Sequence, residues 1–454
     1  MRLVNVQDYS LVEVNGPGSY QYAILSHTWS TTGEVTLDDM RDLAAARSKS
    51  QWPKVQQTCA LARSQGISFV WIDTCCIDKS SSAELTEAIN SMFEWYHLAG
   101  RCYVYLVDVD GPPGSSDTDG EDSDGEDDRE DGKGDNKSQF EASRWFTRGW
   151  TLQELIAPVD VRFYDCNWTL IGVRQPRDND GKTRRHPDVD LGPKISQTTG
   201  IPIGVLRWWD KSRPRKRWEL RKHADKLQTV LQSFSIARRM SWAARRKTTR
   251  LEDEAYSLMG LFGVNMPMLY GEGRRAFHRL QQAIMAVSSD QSILTFAHTS
   301  STRWAASLDA CPLLADSIEC FTDCLVETPG LNAPVWLSPG QRPRATVFSP
   351  SLKALEIDLC VCSVRPRFEE GGCLGILDCV YQNDYTRHPA IFLRPLDDQG
   401  ETFIRVNGAA LEEISPMNFG TAGTYDRKWY QRSLPHALWP IWGWGVGGRT
   451  RSWP

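Results

Sequence analysis

The chain has 454 residues, 41% hydrophobic and 24% charged, an ordinary globular composition that excludes wholesale disorder, a collagen, a coiled coil or a small disulfide scaffold. At about 150 residues per domain, this length predicts two or three domains. The formal charge of −5 is uneven: residues 115–135 hold 11 acidic and 2 basic residues, a local −9 that leaves +4 for the rest, so net charge predicts no nucleic-acid partner.

No apolar leader core opens the sequence, no lipidation motif is present, and no apolar run reaches the roughly 18 residues of a membrane helix. The expectation is a soluble cytoplasmic protein without a membrane span. Its 12 cysteines are expected as reduced thiols. Cys75-Cys76, Cys320-x3-Cys324 and Cys360-x-Cys362 make neither a disulfide framework nor a zinc-ligand set, so no metal site is expected.

Along the chain, Tyr22–Ser26 is a short apolar run that reads as a buried strand. Pro53 opens a helix with Val55, Cys59 and Ala62 on one face, and Gly66 ends it. Phe69–Ile72 is a second strand. Ser81-Ser82-Ala83-Glu84 matches a capping box, followed by the helical stripe Leu85, Ala88, Ile89, Met92, Phe93 and Tyr96, with Gly100 as its stop. Cys102–Val107 and Val161–Tyr164 are the third and fourth strands. Near-continuous apolar strands alternating with helices predict an α/β domain with a parallel sheet covered on both faces.

Residues 111–137 interrupt this pattern. They are Asp/Glu/Gly/Ser-rich, have no apolar residue after Pro113, and read as a disordered acidic insert. From about Lys194 to Val287 three helical stripes follow: Leu227, Val230, Leu231 and Phe234; Ala255, Leu258, Met259 and Phe262 behind a capping box at Thr249-x-x-Glu252; and Phe277, Leu280, Ile284 and Val287. After Ser288, short apolar runs between Pro, Gly and Asn clusters read as β-rich. The expected organisation is an α/β domain over 1–165, a helical extension over 166–290 and a β-rich region of unassigned role over 291–454.

Three polar clusters fall at strand or helix ends: Ser26-His27-Thr28-Trp29, Trp71-Ile72-Asp73-Thr74-Cys75-Cys76-Ile77-Asp78-Lys79, and Arg148-Gly149-Trp150-Thr151-Leu152-Gln153-Glu154-Leu155. In an open parallel sheet, ligands bind outside the carboxyl ends of the strands, and all three clusters open at that edge. Each residue also fits a structural role: His27 as a satisfied buried imidazole, the tryptophans as core, Asp73 and Asp78 as helix caps, Glu154 as an exposed helical carboxylate.

These clusters, beginning at Tyr22-Ala23-Ile24-Leu25, resemble the three blocks of the fungal heterokaryon-incompatibility (HET) domain. The resemblance runs on through Ser241-Trp242-Ala243, Arg250-x-Glu252-Asp253-x-Ala255-Tyr256-x-Leu258-x-Gly260 and Pro267-x-Leu269-Tyr270-Gly271-Glu272-Gly273, over roughly residues 1–300. The departures are Ser30, where the family usually has Gly, and the acidic insert. The resemblance implies a fungal intracellular effector of vegetative incompatibility that triggers cell death and meets other incompatibility or signalling proteins.

Trp150-Thr151-Leu152-Gln153-Glu154-Leu155 also resembles the Trp-Cys-x-x-Glu-Leu motif of Toll/interleukin-1 receptor (TIR) domains, which implies a TIR-like, flavodoxin-like sheet. In TIR enzymes that destroy NAD+ the motif's Glu is catalytic; here it is Glu154. By residue type, Ser26, His27, Trp29, Asp73, Asp78, Arg148 and Trp150 are the expected substrate-binding set, with Trp29 or Trp150 stacking on a ring and Arg148 or His27 facing phosphates. Cleavage of the nicotinamide–ribose bond passes through an oxocarbenium-like state, and nicotinamide leaves neutral, so one carboxylate suffices. NAD+ is then substrate, no cofactor is called for, and self-association is the expected active state.

Two other classes stay open: a non-enzymatic signalling adaptor, and a nucleic-acid regulator acting through Arg207–Lys222, where 8 basic residues interleave with Trp208, Trp209 and Trp218. A nucleic-acid partner is not expected, because that footprint is one short stretch and not a face. Gly181-Lys182-Thr183 lacks the first Gly and the following helix of a P-loop. Gly443–Gly448 has no helix after it for a dinucleotide fingerprint.

Overall fold

The first part of the chain supplies strands β1 (Arg2–Asn5), β2 (Leu11–Glu13), β3 (Tyr22–His27), β4 (Phe69–Trp71), β5 (Arg101–Tyr105), β6 (Val161–Tyr164) and β7 (Leu170–Val173), which form one sheet in the order β2-β1-β4-β3-β5-β6-β7. The computed structural model describes residues 1–18, 20–111, 138–175, 189–208, 226–297, 313–328, 349–351, 354–363, 373–382, 384, 387–395, 403–405, 412–414 and 427–435. The acidic insert from residue 112 on, Gly181-Lys182-Thr183, the basic stretch beyond Trp208 and Gly443–Gly448 lie outside these residues.

The sheet is parallel only in its centre, where β4, β3, β5 and β6 run together. These are the four strands expected from the sequence; at both edges further strands pair antiparallel, β2 on β1, β1 on β4 and β7 on β6. For the β1–β2 and β6–β7 pairs the reason is connection length. Parallel neighbours need a crossover of a dozen or more residues, whereas β1–β2 and β6–β7 are joined by short turns. The central strands do have such crossovers. Helices α1 (Leu37–Met40), α2 (Leu43–Ser48) and α3 (Trp52–Ser64) join β3 to β4. Helices α4 (Asp73–Cys76) and α5 (Ser82–Leu98) join β4 to β5. Helix α6 (Gln139–Ala142), a 3-10 turn (Arg144–Thr147) and helix α7 (Thr151–Ile156) lead into β6.

In chain order the parallel strands take the spatial order second, first, third, fourth. The path therefore reverses at β3, and the loops leaving β3 and β5 diverge at their carboxyl ends. Such a switch point opens a crevice. β3 is buried at every residue, as an apolar run without alternation requires when both faces are covered.

Local signals explain the helix ends. Gly66 (φ +73) follows α3, and the bonds from Ile67 N–H to the Ala62 carbonyl (2.9 Å) and from Gly66 N–H to the Arg63 carbonyl (3.0 Å) form a Schellman motif. Ser81 caps α5 by accepting the Glu84 N–H at 3.3 Å. The Glu84 carboxylate completes no reciprocal box; it accepts the Asp78 N–H (2.8 Å) and pairs with Arg2.

The chain divides into two compact units, Met1–Val230 with Arg246–Thr248, and Leu231–Arg245 with Thr249–Pro454. In the second, the helix Arg275–Met285 buries Phe277, Leu280 and Ile284, whereas Val287 lies past its end and is exposed. The expected capping box at Thr249 is replaced. The helix Asp253–Tyr256 starts from Glu252, whose carboxylate accepts the N–H groups of Gly271 (2.8 Å) and Gly273 (2.9 Å), both glycines having positive φ. The strands Phe403–Arg405, His388–Pro395, Cys373–Ile376, Ala354–Ser363 and Arg427–Pro435 form an antiparallel sheet in that order, with Ser349–Ser351 and Glu412–Ile414 pairing alongside. Among the described residues no helix is long and apolar enough to cross a membrane.

Helix α7 has six residues, too short to persist on its own propensity. Arg174, fully buried after β7, supplies what it lacks. Its guanidinium donates to the carbonyls of Leu155 and Ile156 (3.2 Å), acceptors that a helix C-terminus leaves unpaired, and to those of Pro158 (2.6 Å) and Val159 (3.3 Å) in the loop that follows. Arg174→Met is expected to cost about 3 kcal/mol or more in urea unfolding, because several buried carbonyls lose their donor together. A loss below about 1 kcal/mol would mean that other donors satisfy them.

Candidate active site

Ser26, next to last in β3, is fully buried at the switch point. Its hydroxyl oxygen accepts the indole N–H of Trp145 at 2.8 Å, and its hydrogen is donated to Glu154 Oε2. Glu154 lies in the first turn of α7 and is 7% exposed. Tyr96, from α5, donates its hydroxyl hydrogen to the Leu25 carbonyl (3.1 Å) and lies near the Glu154 carboxyl. Burial first, then the charge of Asp73, push Glu154 up to about 8, against the opposing effect of the Ser26 and Tyr96 hydrogen bonds and of Arg148.

A second carboxyl lies beside the first in the opposite state. Asp73 begins α4 just past β4, and its two oxygens bond His27 Nε2 (3.0 Å) and the Trp29 indole N–H (2.8 Å). Burial works against its ionisation, but His27, Lys79 and the Trp29 N–H together hold it well below the usual carboxylate range. Lys54 meets the other ring nitrogen, with Nζ 3.4 Å from His27 Nδ1. An ammonium can only donate, so Nδ1 accepts and Nε2 carries the hydrogen given to Asp73. Lys54 is itself buried and paired with Glu34, whose carboxylate also accepts the Ser30 N–H at 2.7 Å. A polar chain thus runs Glu34–Lys54–His27–Asp73–Trp29.

Trp29 is 42% exposed, with Lys79 Nζ 3.6 Å from its ring centroid and Arg148 Cζ at 5.7 Å. Arg144 donates to Thr28 Oγ1 at 2.9 Å. The fold therefore gathers Ser26, His27, Trp29, Asp73, Arg148 and Glu154. The other two expected residues sit differently. The Asp78 carboxylate closes its own turn on the N–H (2.9 Å) and hydroxyl of Ser80. Trp150 is half-buried at the N-cap of α7. Trp208, from the basic stretch, is buried, stacked on His97 and bonded to the Ile156 carbonyl at 3.1 Å, so it is core and not offered to a partner. The vicinal thiols provide no nucleophile: burial pushes Cys76 up to about 12 and Cys75 well above its ordinary value.

Sequence reasoning missed Lys54, Tyr96 and Trp145 as members of this cluster, and named Lys79 in the second polar cluster without assigning it a role. A signal for Lys54 was present. It shares the i, i+4, i+8 row with Thr58 and Ala62 on the buried side of α3, where an unpaired lysine is costly. Tyr96 closed an apolar stripe, and nothing in that pattern separates a core phenol from a carboxyl's partner.

Residues 22–154 match the family model described as "Heterokaryon incompatibility protein (HET)". The chain is 42% identical over 265 residues to the vegetative incompatibility protein HET-E-1 of Podospora anserina, an alignment that covers 58% of this chain and 16% of the relative. The chain thus spans about a sixth of that relative's length. No solved structure matches.

The environment of Glu154 has a thermodynamic consequence. A free glutamate titrates near 4.3, so between about pH 4.5 and 8 the folded chain keeps a proton that the unfolded chain has lost. Stability then falls as pH rises through this window. Glu154→Gln removes the titrating proton and keeps the neutral hydrogen-bonding shape. The variant is expected to gain on the parent by up to about 1.4 kcal/mol per pH unit from pH 5 to 8, read from urea unfolding. Parallel pH curves for the two proteins would show that Glu154 is ionised in the native state.

Proposed function

The chain carries a HET domain, and from that premise we propose that it is an effector of vegetative incompatibility that brings about cell death, acting by TIR-like cleavage of NAD+ upon self-association. The match to HET over residues 22–154 and the likeness to HET-E-1 support the incompatibility role. One observation carries the enzymatic part: the Glu154 carboxyl touches Ser26 at the carboxyl end of β3, where the strand order reverses, next to the His27–Asp73–Trp29 cluster. The order of the parallel strands is that of flavodoxin-like sheets and supports the TIR-like reading.

The reaction balances simply. The bond between ribose C1′ and the pyridinium nitrogen breaks, its electron pair goes to that nitrogen, and neutral nicotinamide leaves. Water adds to C1′, giving ADP-ribose and a proton. Ionised Glu154 would stabilise the oxocarbenium-like carbon. Trp29 offers a ring face, and Lys79 and Arg148 beside it suit the pyrophosphate. Asp73, ionised throughout, holds His27 and Trp29 in place.

The test is nicotinamide release by purified protein at high concentration. Because Glu154 is protonated in the free protein below about pH 8, kcat/KM is expected to rise about tenfold per pH unit up to that value and then level off. Glu154→Gln is expected to abolish release. Equal release by the two proteins, or a rate indifferent to pH, removes Glu154 from the chemistry.

A second reading has one observation in its favour: Glu154 is nearly closed off and bonded to Ser26, as a structural group would be. On that reading the α/β domain is an adaptor. Killing survives Glu154→Gln and is lost when the exposed face of the Leu85 helix is altered.

A further inference from the structure

Arg246–Thr248 belong to the first unit although the chain on either side belongs to the second. These residues line the entrance to α7. Lys247 donates its N–H to the Thr147 carbonyl (2.6 Å) and its carbonyl accepts the Gly149 N–H (2.9 Å), a short parallel pairing centred on Arg148. The preceding side chain, Arg246, is buried. Its Nη1 donates to the Arg148 carbonyl and to Thr151 Oγ1, both at 2.9 Å. Thr151 passes the contact on, donating to the Trp145 carbonyl at 2.6 Å. Trp145 is the residue whose indole bonds Ser26, and Thr151 opens the helical turn that carries Glu154.

We propose that Arg246 is a positioning residue for the Glu154 carboxyl, fixing the first turn of α7 through Arg148 and Thr151 and setting the charge that Glu154 meets. The matched family window ends at residue 154 and leaves Arg246 outside it.

The groups facing Glu154 come from every element around it: Ser26 on β3, Cys102 on β5, Tyr96 on α5, Asp73 on α4, Arg148 ahead of α7, and Arg246. Cys102 and Tyr96 keep their protons, held first by burial and then by the neighbouring carboxyl's charge. Asp73 therefore opposes ionisation of Glu154, while Arg148 and Arg246 favour it. Burial brings the Arg246 guanidinium down to about 10, so it remains charged at neutral pH.

The experiment is a 13C NMR titration of the full chain labelled at glutamate side-chain carboxyls, with the Glu154 signal identified by its loss in Glu154→Gln. The parent midpoint is expected near 8. Arg246→Gln removes the charge but keeps a donor, and is expected to raise the midpoint by about one pH unit. In Arg246→Lys a shorter side chain keeps the charge but not its place, and the expected rise is about half of that. A midpoint unmoved in whichever variant folds overturns the proposal. The readout is the titration of the carboxyl itself, so absence of NAD+ turnover would leave this inference standing, and its failure would leave the proposed chemistry untouched.

Discussion

The hydrogen bond between Ser26 and Glu154 ties the end of the most buried strand to the first turn of a helix too short to hold itself. Everything around it keeps that contact in place. β3 is fixed on both sides by parallel partners. α7 is gripped at its C-terminal carbonyls by Arg174 and at its N-terminal turn by Arg246. Both guanidiniums are buried, and what they bind is backbone carbonyl and hydroxyl rather than carboxylate. Arg174 fills carbonyls that the C-terminus of a six-residue helix leaves open, and Arg246 ties the chain ahead of the helix to its first residue, so helical order here comes from tertiary contacts and not from propensity.

Around that contact two carboxyls are driven apart. Glu154 is surrounded by groups that suit a neutral acid, and Asp73 by donors and a nearby ammonium that suit an anion. The difference lies in their neighbours, not in depth alone, since His27, Trp29 and Lys79 all converge on Asp73. Pairs of titratable groups held in opposite states are a common arrangement where proton transfer or charge stabilisation is needed. Lys54 extends the arrangement inward. By meeting His27 Nδ1 it leaves Nε2 to face Asp73, whose other oxygen accepts the N–H of the exposed Trp29.

Much of this was legible in the residues. The four central strands, the helix opening at Ser82 and the clustering of Ser26, His27, Trp29, Asp73, Arg148 and Glu154 follow from apolar runs, stop signals and the edge rule for parallel sheets. What escaped had a physical reason. The edge strands β1, β2 and β7 were not named from the sequence, and β2 and β7 each fold back antiparallel across a short turn from the strand before. Asp78 was indistinguishable from Asp73 in a run of polar residues, because a carboxylate that bonds its own turn and one that reaches across the sheet have the same local sequence. Glu252 matched a capping box three residues after Thr249, yet its carboxylate went to two glycine N–H groups in a later turn, where positive φ leaves donors free to point inward.

The limits of the matched family region and of the folding unit do not coincide, and the difference falls on the site. The match stops at Glu154 itself, before β6 and β7 and before Arg174 and Arg246. A chain cut there would leave the ladder edge of β5 without β6 and the carbonyls after Leu155 without their guanidinium. Residues that carry recognisable chemistry therefore occupy a narrower window than the residues that make the chemistry's geometry. The supporting side chains act through backbone carbonyls and buried charge, which leave no motif. The family-model window holds the candidate side chains, while the unit that presents them is read from what their helix and strand ends are bonded to.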